Sequence, residues 1–550
     1  MTESIFISTS IPYVNGAPHV GFAWELVLAD VLARFHRARG RRVRFLTGTD
    51  DNSLKNVRAA ESEGAATAPF VRARGERFAN LCRTLGLSND DFIRTAFDPR
   101  HGPAVERLWR ACDAAGDVYP SSYRGNYCVG CEQFYGPHEL VNGGCPEHDA
   151  PLERIDEENH FFRLGRYQTE VDRLLTSGEL CIWPDGYRAE AYGWVKAGLA
   201  DFSVSRSTAR ARGWGIPVPG DPGQIVYVWF DALANYISAL GYANGLPELD
   251  EYWTNGARRI HVIGKNVTRF HCVYWPAILA SAGLRAPSDV VVHGFLTVEG
   301  RKIGKSLGNG VDPFQLVERY GADRLRHYLI RHFPLGRDGD FSTAALEHAS
   351  NDELADQLGN LLSRVLVLIE RNTGGIIPAA TPESALGSSL AQAARRAAIA
   401  TRAELERCDP PSALAEVLGF VRAQNLELSQ TEPWKLARRA RETSDPGERA
   451  ALDTRVGRIL GDAARGLLWA GALLEPFLPD AAARIATALG AAAAGSGSPT
   501  SPCLTAGLPA VYADVLPEWS SLGSGARVHR ADVLFARLAR SAADDAANAG

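Results

Sequence analysis

Methionine is almost absent from this sequence, because the chain has 550 residues and one methionine, at position 1. Ile, Leu and Val occupy its usual apolar positions, which we interpret as a compositional bias; selection against methionine or its oxidation is the alternative. The chain also lacks an apolar run long enough to span a bilayer. Its first residues, MTESIFISTS, have neither the basic start nor the apolar core of a signal peptide. These absences predict a cytoplasmic protein that does not enter a membrane.

An excess of positive charge is missing as well, since the formal net charge is −5 at pH 7. Any binding of nucleic acid therefore depends on local basic patches. The nine cysteines include three that cluster with a histidine, a pattern that fits a reducing compartment with one metal site better than a disulfide framework. The length predicts two to four domains of ordinary soluble composition.

The stretch from Ile5 to Gly40 has the pattern of a strand, a loop and a helix. Ile5–Thr9 is a short β-branched apolar run, and an apolar helical repeat begins after Pro18. The N–H groups at the start of such a helix can hold a phosphate. His19 supplies a side-chain donor there, and Gly21 lets a ligand approach the backbone. We therefore predict a phosphate site at this turn.

A second predicted strand, Arg42–Leu46, runs into Thr49 and Asp50. Polar residues at the carboxyl end of a strand in an open α/β sheet lie over the ligand crevice. Asp50 is thus a candidate to bind a substrate ammonium group. The alternative is that it caps the helix that follows Asn52.

Two cysteine-containing pairs predict a structural zinc site. Cys128 and Cys131 form the first pair, and Cys145 and His148 form the second, with thirteen residues between the pairs. Two such knuckles can converge on one tetrahedral ion and leave it no open position. The alternative is that the cysteines are buried apolar side chains.

The α/β pattern returns after Gln224, with predicted strands at Ile225–Phe230, Arg259–Gly264 and from Asp289. The predicted fold is α/β, with a split Rossmann-like parallel sheet, a zinc-knuckle insertion and an all-α helical bundle after it. Aromatic residues at the ends of these strands, with His271 and Tyr236 as polar members, either pack in the core or line an apolar pocket. The pair Lys302 and Lys305 in a glycine-rich loop can reach a polyphosphate, and a solvated basic loop is the alternative. In the bundle, Trp434 beside Lys435 is either a helix-end aromatic or a platform for a base.

The order and spacing of these motifs resemble those of class I aminoacyl-tRNA synthetases, in particular the methionyl-tRNA synthetase family in its one-zinc bacterial form. His19-Val-Gly-Phe22 and Lys302-Ile-Gly-Lys305-Ser306 match the two class signatures. The resemblance implies ATP-dependent activation of methionine and its transfer to tRNA(Met), with Mg²⁺ accompanying ATP and with structural Zn²⁺. It also implies that His19, Lys302 and Lys305 are catalytic.

The resemblance assigns further residues to each site. The ATP-binding residues are His19, Gly21, Phe22, Gly264, Asn266, Lys302, Lys305 and Ser306. The methionine-binding residues are Ile11, Tyr13, Asp50, Trp229, Ala232, Leu233, Tyr236, Phe270, His271 and Trp275. The anticodon-binding residues are Asn360, Arg364, Asn425 and Trp434. The zinc ligands are Cys128, Cys131, Cys145 and His148.

The predicted domain bounds follow the same organisation, and we expect a monomer. Residues 1–116 and 221–335 are the two halves of the catalytic domain, and 117–220 is the insertion between them. Residues 336–490 are the anticodon-binding bundle. Residues 491–550 are a linker and a C-terminal segment that docks back, with a disordered end.

Several positions depart from the family pattern. Phe22 replaces the second signature histidine, Gly304 replaces a serine, and Asn266 replaces an aspartate that contacts the ribose. The segment Asp51-Asn52-Ser53 replaces the usual Glu-His-Gly. These changes leave three hypotheses: a methionine–tRNA ligase, a paralogue that passes an adenylated amino acid to a small nucleophile, and a non-catalytic tRNA-binding protein. The last is disfavoured by the retained lysines, His19 and Asp50.

Overall fold

The computed structural model describes residues 3–128, 133–135, 140–145, 152–298, 300–302, 311–380, 388–491, 508–529 and 532–539. The strands within these ranges are β1 (Ser4–Thr9), β2 (Arg42–Thr49), β3 (Asp91–Arg94), β4 (Val118–Cys128), β5 (Gln133–Tyr135), β6 (Glu153–Phe162), β7 (Cys181–Trp183), β8 (Phe202–Ser203), β9 (Ser205–Ser207), β10 (Pro217–Val218), β11 (Asp221–Val226), β12 (Arg258–Gly264), β13 (Asp289–His293), β14 (Leu296–Val298), β15 (Arg301–Lys302) and β16 (Gly339–Phe341).

The helices of the catalytic half and of the insertion are α1 (Val20–Ala38), α2 (Leu54–Ser62), α3 (Thr67–Thr84), α4 (His101–Ala114), α5 (Gln168–Ser177), α6 (Asp185–Ala197), α7 (Val228–Leu233), α8 (Asn235–Ser238), α9 (Pro247–Leu249), α10 (Trp275–Ser281), α11 (Pro313–Tyr320) and α12 (Ala322–His332). Those that follow are α13 (Thr343–Ala349), α14 (Asn360–Thr373), α15 (Ser389–Glu406), α16 (Pro410–Thr431), α17 (Pro433–Glu442), α18 (Pro446–Leu474) and α19 (Pro479–Ala488). Wide π-helical turns precede α10 and α14, at Phe270–Tyr274 and Ser350–Gly359.

A parallel sheet with the strand order β3–β2–β1–β12–β13–β7 forms the centre of the catalytic half. β1 pairs with β2 on one side and with β12 on the other, so the order of connections reverses between β1 and β12. In an open α/β sheet, the ligand crevice lies outside the carboxyl ends of the strands at such a reversal. The α/β class and the split sheet predicted from the sequence are confirmed.

The strand predicted at Ile225–Phe230 is wrong beyond Val226. β11 ends there, and Val228–Leu233 forms helix α7. A short apolar run does not distinguish a buried strand from a buried helix by periodicity. Within α7 the Asp231 carboxylate is fully buried and accepts hydrogen bonds from the His101 ring at 2.5 Å and from Asn52 Nδ2 at 2.8 Å.

The insertion carries its own antiparallel sheet, β5–β4–β6–β8, in which β4 and β6 pair along nearly their whole length. It then returns to the catalytic half. β7 completes the edge of the parallel sheet beside β13, and α6 packs near the π-helical turn at Phe270–Tyr274. The segment 117–220 therefore helps to build the crevice.

Helix α1 connects the sheet with the helical half. Nearly all of its residues are buried, and one hydrophobic cluster extends from it into α16 and α18. Asp30, in the middle of α1, binds Arg34 and Arg326, each at 2.7 Å. Arg326 also donates to the carbonyls of Pro476 and Phe477, so a fully buried guanidinium links α1 to the end of the bundle.

The segment 532–539 contacts the helical half of the chain. Leu534 and Phe535 are buried, and the Leu538 N–H donates to Asn351 Oδ1 at 2.7 Å. Arg484 donates to the carbonyl of Leu534 at 2.7 Å. No helix in the described ranges combines the length and the apolarity that a bilayer crossing requires.

Candidate active site

A cavity of about 520 Å³ opens at the carboxyl ends of β1, β2, β12 and β13. It lies at the reversal between β1 and β12, where the topology places a ligand crevice. Its lining includes these residues: Ser10, Ile11, Pro12, Tyr13, Asn15, His19, Gly21, Phe22, Glu25, Asp50, Lys55, Glu190, Trp194, Trp229, Ala232, Asn235, Tyr236, Gly264, Lys265, Asn266, Val267, Arg269, Phe270, His271, His293, Gly294, Phe295 and Leu296. Most residues predicted for the nucleotide and amino-acid sites thus share one cavity.

His19 precedes helix α1 and caps it. Its Nδ1 accepts the Gly21 N–H at 3.1 Å, so in the neutral ring the proton is on Nε2. The ring is open to the cavity but surrounded by protein, and this loss of solvation, with the charge of nearby His293, lowers the pKa of His19. At neutral pH His19 therefore offers a neutral N–H donor beside the N-terminus of α1.

Phe22 lies on the next part of the same helix and is 7% exposed. Its ring meets Phe78 edge to face, with the ring centroids 5.6 Å apart. Phe22 therefore lines the cavity and also packs against the core, and its side chain has no group that could hydrogen-bond to a nucleotide. Gly21, Gly264 and Asn266 also line this end of the cavity.

The lysine loop is described only in part. Lys302 is in β15, which pairs with β14 in an antiparallel hairpin directly after β13. Lys305 and Ser306 lie outside the described residues, as does Gly304. Leu296, at the start of the hairpin, lines the cavity.

The predicted amino-acid pocket forms the other end of the cavity. Eight of the predicted residues line it: Ile11, Tyr13, Asp50, Trp229, Ala232, Tyr236, Phe270 and His271. Trp229 and Phe270 stack with their centroids 3.8 Å apart. Leu233 and Trp275 are not among the lining residues, and both are buried behind the pocket wall. The centroids of the Trp275 and Tyr236 rings are 6.1 Å apart.

Tyr236 and His271 make a directed hydrogen-bond pair in this pocket. His271 Nδ1 is 2.9 Å from the Val267 carbonyl and must donate to it. Burial lowers the pKa of His271 to about 4, so the ring is neutral and its Nε2 is an acceptor. The Tyr236 hydroxyl, 2.7 Å away, therefore donates to Nε2. Burial also raises the pKa of Tyr236, so both side chains of this pair stay uncharged at neutral pH.

Asp50 lies at the end of β2 with its residue surface 1% exposed and lines the cavity. Its Oδ1 accepts the Asn52 N–H at 3.2 Å. Helix α2 is capped by Ser53, which accepts the Lys55 N–H at 3.0 Å. The alternative role of Asp50 as the helix cap is therefore wrong. Asp51 points elsewhere, to Arg94 at 3.0 Å, and burial raises its pKa against the effect of that arginine.

Glu25 and His293 are among the cavity residues that were not identified from the sequence. The Glu25 carboxylate accepts from Ser10 Oγ at 2.6 Å and lies 2.9 Å from His293 Nε2. The sequence contains a feature that could have identified each of them. Glu25 is a charged residue inside the apolar run of helix α1, and a buried charge needs a partner. His293 is the last residue of a parallel strand, where polar side chains lie over the ligand crevice.

The structure describes two of the four predicted zinc ligands, Cys128 and Cys145. Cys128 at the end of β4 and Cys145 are both buried and pack together, with Leu140 and Leu152 beside them. Cys131 and His148 lie outside the described residues. Within those that are described, no group of three or more His, Cys, Asp or Glu side chains is placed to hold a metal. The two buried cysteines, one from each predicted pair, lie close together as two ligands of one metal ion would.

Two of the predicted anticodon residues, Arg364 and Trp434, are in contact with each other. Asn360 and Arg364 are one turn apart on α14, and the Arg364 guanidinium lies 5.4 Å from the centre of the Trp434 ring. Trp434, the second residue of α17, is 37% exposed. Asn425 on α16 donates to the Gln357 carbonyl at 3.1 Å, which joins the two helices.

Comparisons with known proteins agree with this arrangement. A family model described as "tRNA synthetases class I (M)" matches residues 5–159 and 149–366. The methionine–tRNA ligase of Brucella suis biovar 1 is 40% identical over 489 residues, which are 88% of this chain and 91% of that protein. The methionine–tRNA ligase of Streptomyces coelicolor is 36% identical over 549 residues, 98% of this chain and 97% of that protein. A solved structure, Mycobacterium tuberculosis methionyl-tRNA synthetase in complex with methionyl-adenylate, has a TM-score of 0.87 and 33% identity, covering 98% of this chain and 100% of that one.

Proposed function

The chain belongs to the class I tRNA synthetases of the methionine type, and from this premise we propose that it is a methionine–tRNA ligase. The observation that carries the proposal is the single cavity that joins His19 at a helix N-terminus to Asp50 and the Tyr236–His271 pair. Such a cavity can hold a nucleotide and an amino acid end to end.

In the first step, a carboxylate oxygen of methionine attacks the α-phosphorus of ATP. The bond from that phosphorus to the bridging oxygen breaks, and pyrophosphate leaves with its electrons. Negative charge grows on the α-phosphate and the leaving group, so catalysis depends on positioning and on donors aimed at these oxygens. His19 Nε2–H and the N–H groups of α1 are such donors, and Lys302 and Lys305 are proposed to face the pyrophosphate.

The amino-acid end of the cavity orients the nucleophile. Asp50 would bind the substrate ammonium group, which leaves the carboxylate free to point toward the nucleotide. The apolar walls, Ile11, Ala232 and the Trp229–Phe270 stack, suit a thioether side chain. Such a pocket discriminates strongly against charged side chains and weakly against close isosteres.

In the second step, a ribose hydroxyl at the 3′ end of tRNA attacks the carbonyl carbon of methionyl-adenylate. An ester bond forms, the hydroxyl loses its proton, and AMP leaves. The Arg364–Trp434 contact supports tRNA as the acceptor rather than a small nucleophile, since a cation beside an exposed aromatic ring can hold an unpaired base. Asn360 and Asn425 are proposed to read base edges.

Metal ions enter in two ways. Mg²⁺ comes with ATP as part of the substrate and neutralises phosphate charge. We also propose that Cys128, Cys131, Cys145 and His148 bind one structural Zn²⁺, because Cys128 and Cys145 are already packed together in a buried position. The proposed domains are those of the sequence, with 1–116 and 221–335 catalytic, 117–220 the insertion and 336–490 the anticodon-binding bundle.

ATP–pyrophosphate exchange with a panel of amino acids tests the first step, and charging of initiator and elongator methionine tRNA tests the second. We expect exchange with methionine and charging of both tRNAs. Exchange with methionine without charging of either tRNA would favour a small-molecule acceptor. Absence of exchange with every amino acid would leave a binding protein.

A further inference from the structure

A second, smaller cavity lies inside the helical bundle, and we call it the bundle cavity. Its volume is about 80 Å³, and it lies between the start of α15, the C-terminal half of α16 and the middle of α18. It shares no described residue with the cavity at the strand ends or with the predicted anticodon set. Polar side chains from all three helices are part of its lining: Ser389, Gln424, Glu427, Thr431, Arg458 and Asp462.

The side-chain amide of Gln424 has no partner in this cavity. The residue is 2% exposed, and neither its Oε1 nor its Nε2 has a hydrogen-bond partner among the described residues. Buried amides are normally paired, because an unpaired one loses its hydration without compensation. Gln424 therefore offers one acceptor and one donor, side by side, to whatever occupies the bundle cavity.

The packing of α18 makes room for this amide. A Cβ atom on Gly466 would lie 2.4 Å from Gln424 Oε1, which is too close for any side chain at that position. Glycine weakens the interior of a helix, and here it leaves the space in which the amide lies against α18. The backbone of α18 does not pair with the amide, because its N–H and C=O groups bond to each other within the helix.

Charge in and beside the bundle cavity is balanced. Glu427, Asp462 and Arg458 line it. Asp462 Oδ1 is 3.4 Å from Arg465 Nη1, and Glu427 Oε2 accepts from Ser389 Oγ at 3.2 Å. Two carboxylates are thus matched by two guanidinium groups, so the cavity has no net charge that would favour an ion. A neutral ligand fits it best.

We propose that the bundle cavity binds a small neutral molecule through a primary carboxamide group. A carboxamide carries an N–H beside a C=O, so one such group pairs with both atoms of the Gln424 amide through two parallel hydrogen bonds. An ionised carboxylate lacks the donor and an ammonium group lacks the acceptor. The volume equals that of two to three water molecules at about 30 Å³ each, enough for the amide head of a ligand. This inference goes beyond the proposed function and does not depend on it.

NMR of the Gln424 side chain tests the proposal in the full chain. In protein labelled with ¹⁵N at glutamine side chains, the Gln424 NH₂ resonance is identified by its loss in Gln424→Met. Acetamide should shift this resonance saturably, with a Kd of about 1–10 mM, which is a range that four non-hydrogen atoms can supply. Acetone has the same size and a carbonyl but no N–H, so it should bind at least about tenfold more weakly.

Thermal unfolding gives a second readout and a matched control. Gln430 is exposed on the same helix and does not line the bundle cavity. Acetamide should raise the melting temperature of the wild type and of Gln430→Met equally, and it should not raise that of Gln424→Met. If Gln424→Met does not fold, the comparison of acetamide with acetone on the wild type decides the question.

Three results would overturn the inference: equal effects of acetamide and acetone, a shift that grows linearly without saturation, or an equal response of Gln424→Met and the wild type. Each would mean that the bundle cavity holds solvent only. None of these measurements uses ATP, methionine or tRNA, so a failure of the proposed function leaves the test unchanged.

Discussion

The hydroxyl of Tyr236 gives a direct test of the amino-acid pocket. Tyr236→Phe removes a 2.7 Å hydrogen bond whose acceptor, His271 Nε2, is fully buried and has no second partner among the described residues. The ring keeps its donor bond to the Val267 carbonyl at 2.9 Å, so it stays in place with an unsatisfied nitrogen toward the pocket. An unsatisfied buried acceptor costs about 1–2 kcal/mol.

This cost should fall on methionine binding, because the pair forms the end wall of the pocket. One to two kcal/mol corresponds to about a 5- to 30-fold rise in KM for methionine. No charge develops near Tyr236 during adenylation, so kcat and KM for ATP should change less than about twofold. Steady-state ATP–pyrophosphate exchange measures all three, with methionine varied at saturating ATP and ATP varied at saturating methionine.

A matched control is available in Tyr512, which is also buried and donates from its hydroxyl at 2.7 Å, to the Leu473 carbonyl. Tyr512→Phe should lower the melting temperature like Tyr236→Phe and leave KM for methionine unchanged. If both variants change KM equally, or if Tyr236→Phe changes KM for ATP instead, the pocket assignment is refuted. Because the pKa of His271 is about 4, wild-type KM for methionine should also be constant from pH 6 to pH 8.

Three other expectations can be checked separately. Trp434→Ala should raise KM for tRNA at least about fivefold, the lower bound for one lost base stack, and leave tRNA-free pyrophosphate exchange intact; unchanged charging would contradict the anticodon assignment. Purified protein should contain one zinc per chain by mass spectrometry, and Cys128→Ser should reduce it, whereas full zinc in that variant would argue against the ligand set. Burial raises the pKa of Asp323 to about 6, so its carboxyl is protonated in the folded state at a pH where the unfolded chain has lost the proton, and stability should fall by about 2 kcal/mol as pH rises from 4 to 6. Asp323→Asn should remove this dependence in urea unfolding, and an unchanged slope would count against it.

Much of the site followed from local patterns in the sequence. The turn at His19, the residue at the end of β2 and the aromatic pocket all lie where strand ends and helix starts were predicted. The rule that ligands bind at the carboxyl ends of parallel strands requires only the order of strands and helices along the chain. Hydrophobic periodicity predicts that order.

Other features depend on partners that are remote in the chain. Asp231 is 130 residues from His101, and Glu25 is 268 residues from His293. No local pattern encodes these pairs, so the burial of Asp231 in α7 and the Glu25–His293 contact became visible only in three dimensions. The sequence also does not show that Leu233 and Trp275 lie behind the pocket wall, because an aromatic or apolar residue at a strand end can face either the pocket or the core.

The sheet order has a consequence for synthesis on the ribosome. Ser8 on β1 and His261 on β12 are paired neighbours 253 residues apart. At about 5–20 residues per second, roughly 13–50 s pass between their appearance on the ribosome, and during that time β1 has one open edge. An unpaired apolar edge is a template for association with other chains. The nascent N-terminal half should therefore be a chaperone client until residue 264 has emerged, and synthesis truncated before β12 should yield aggregates.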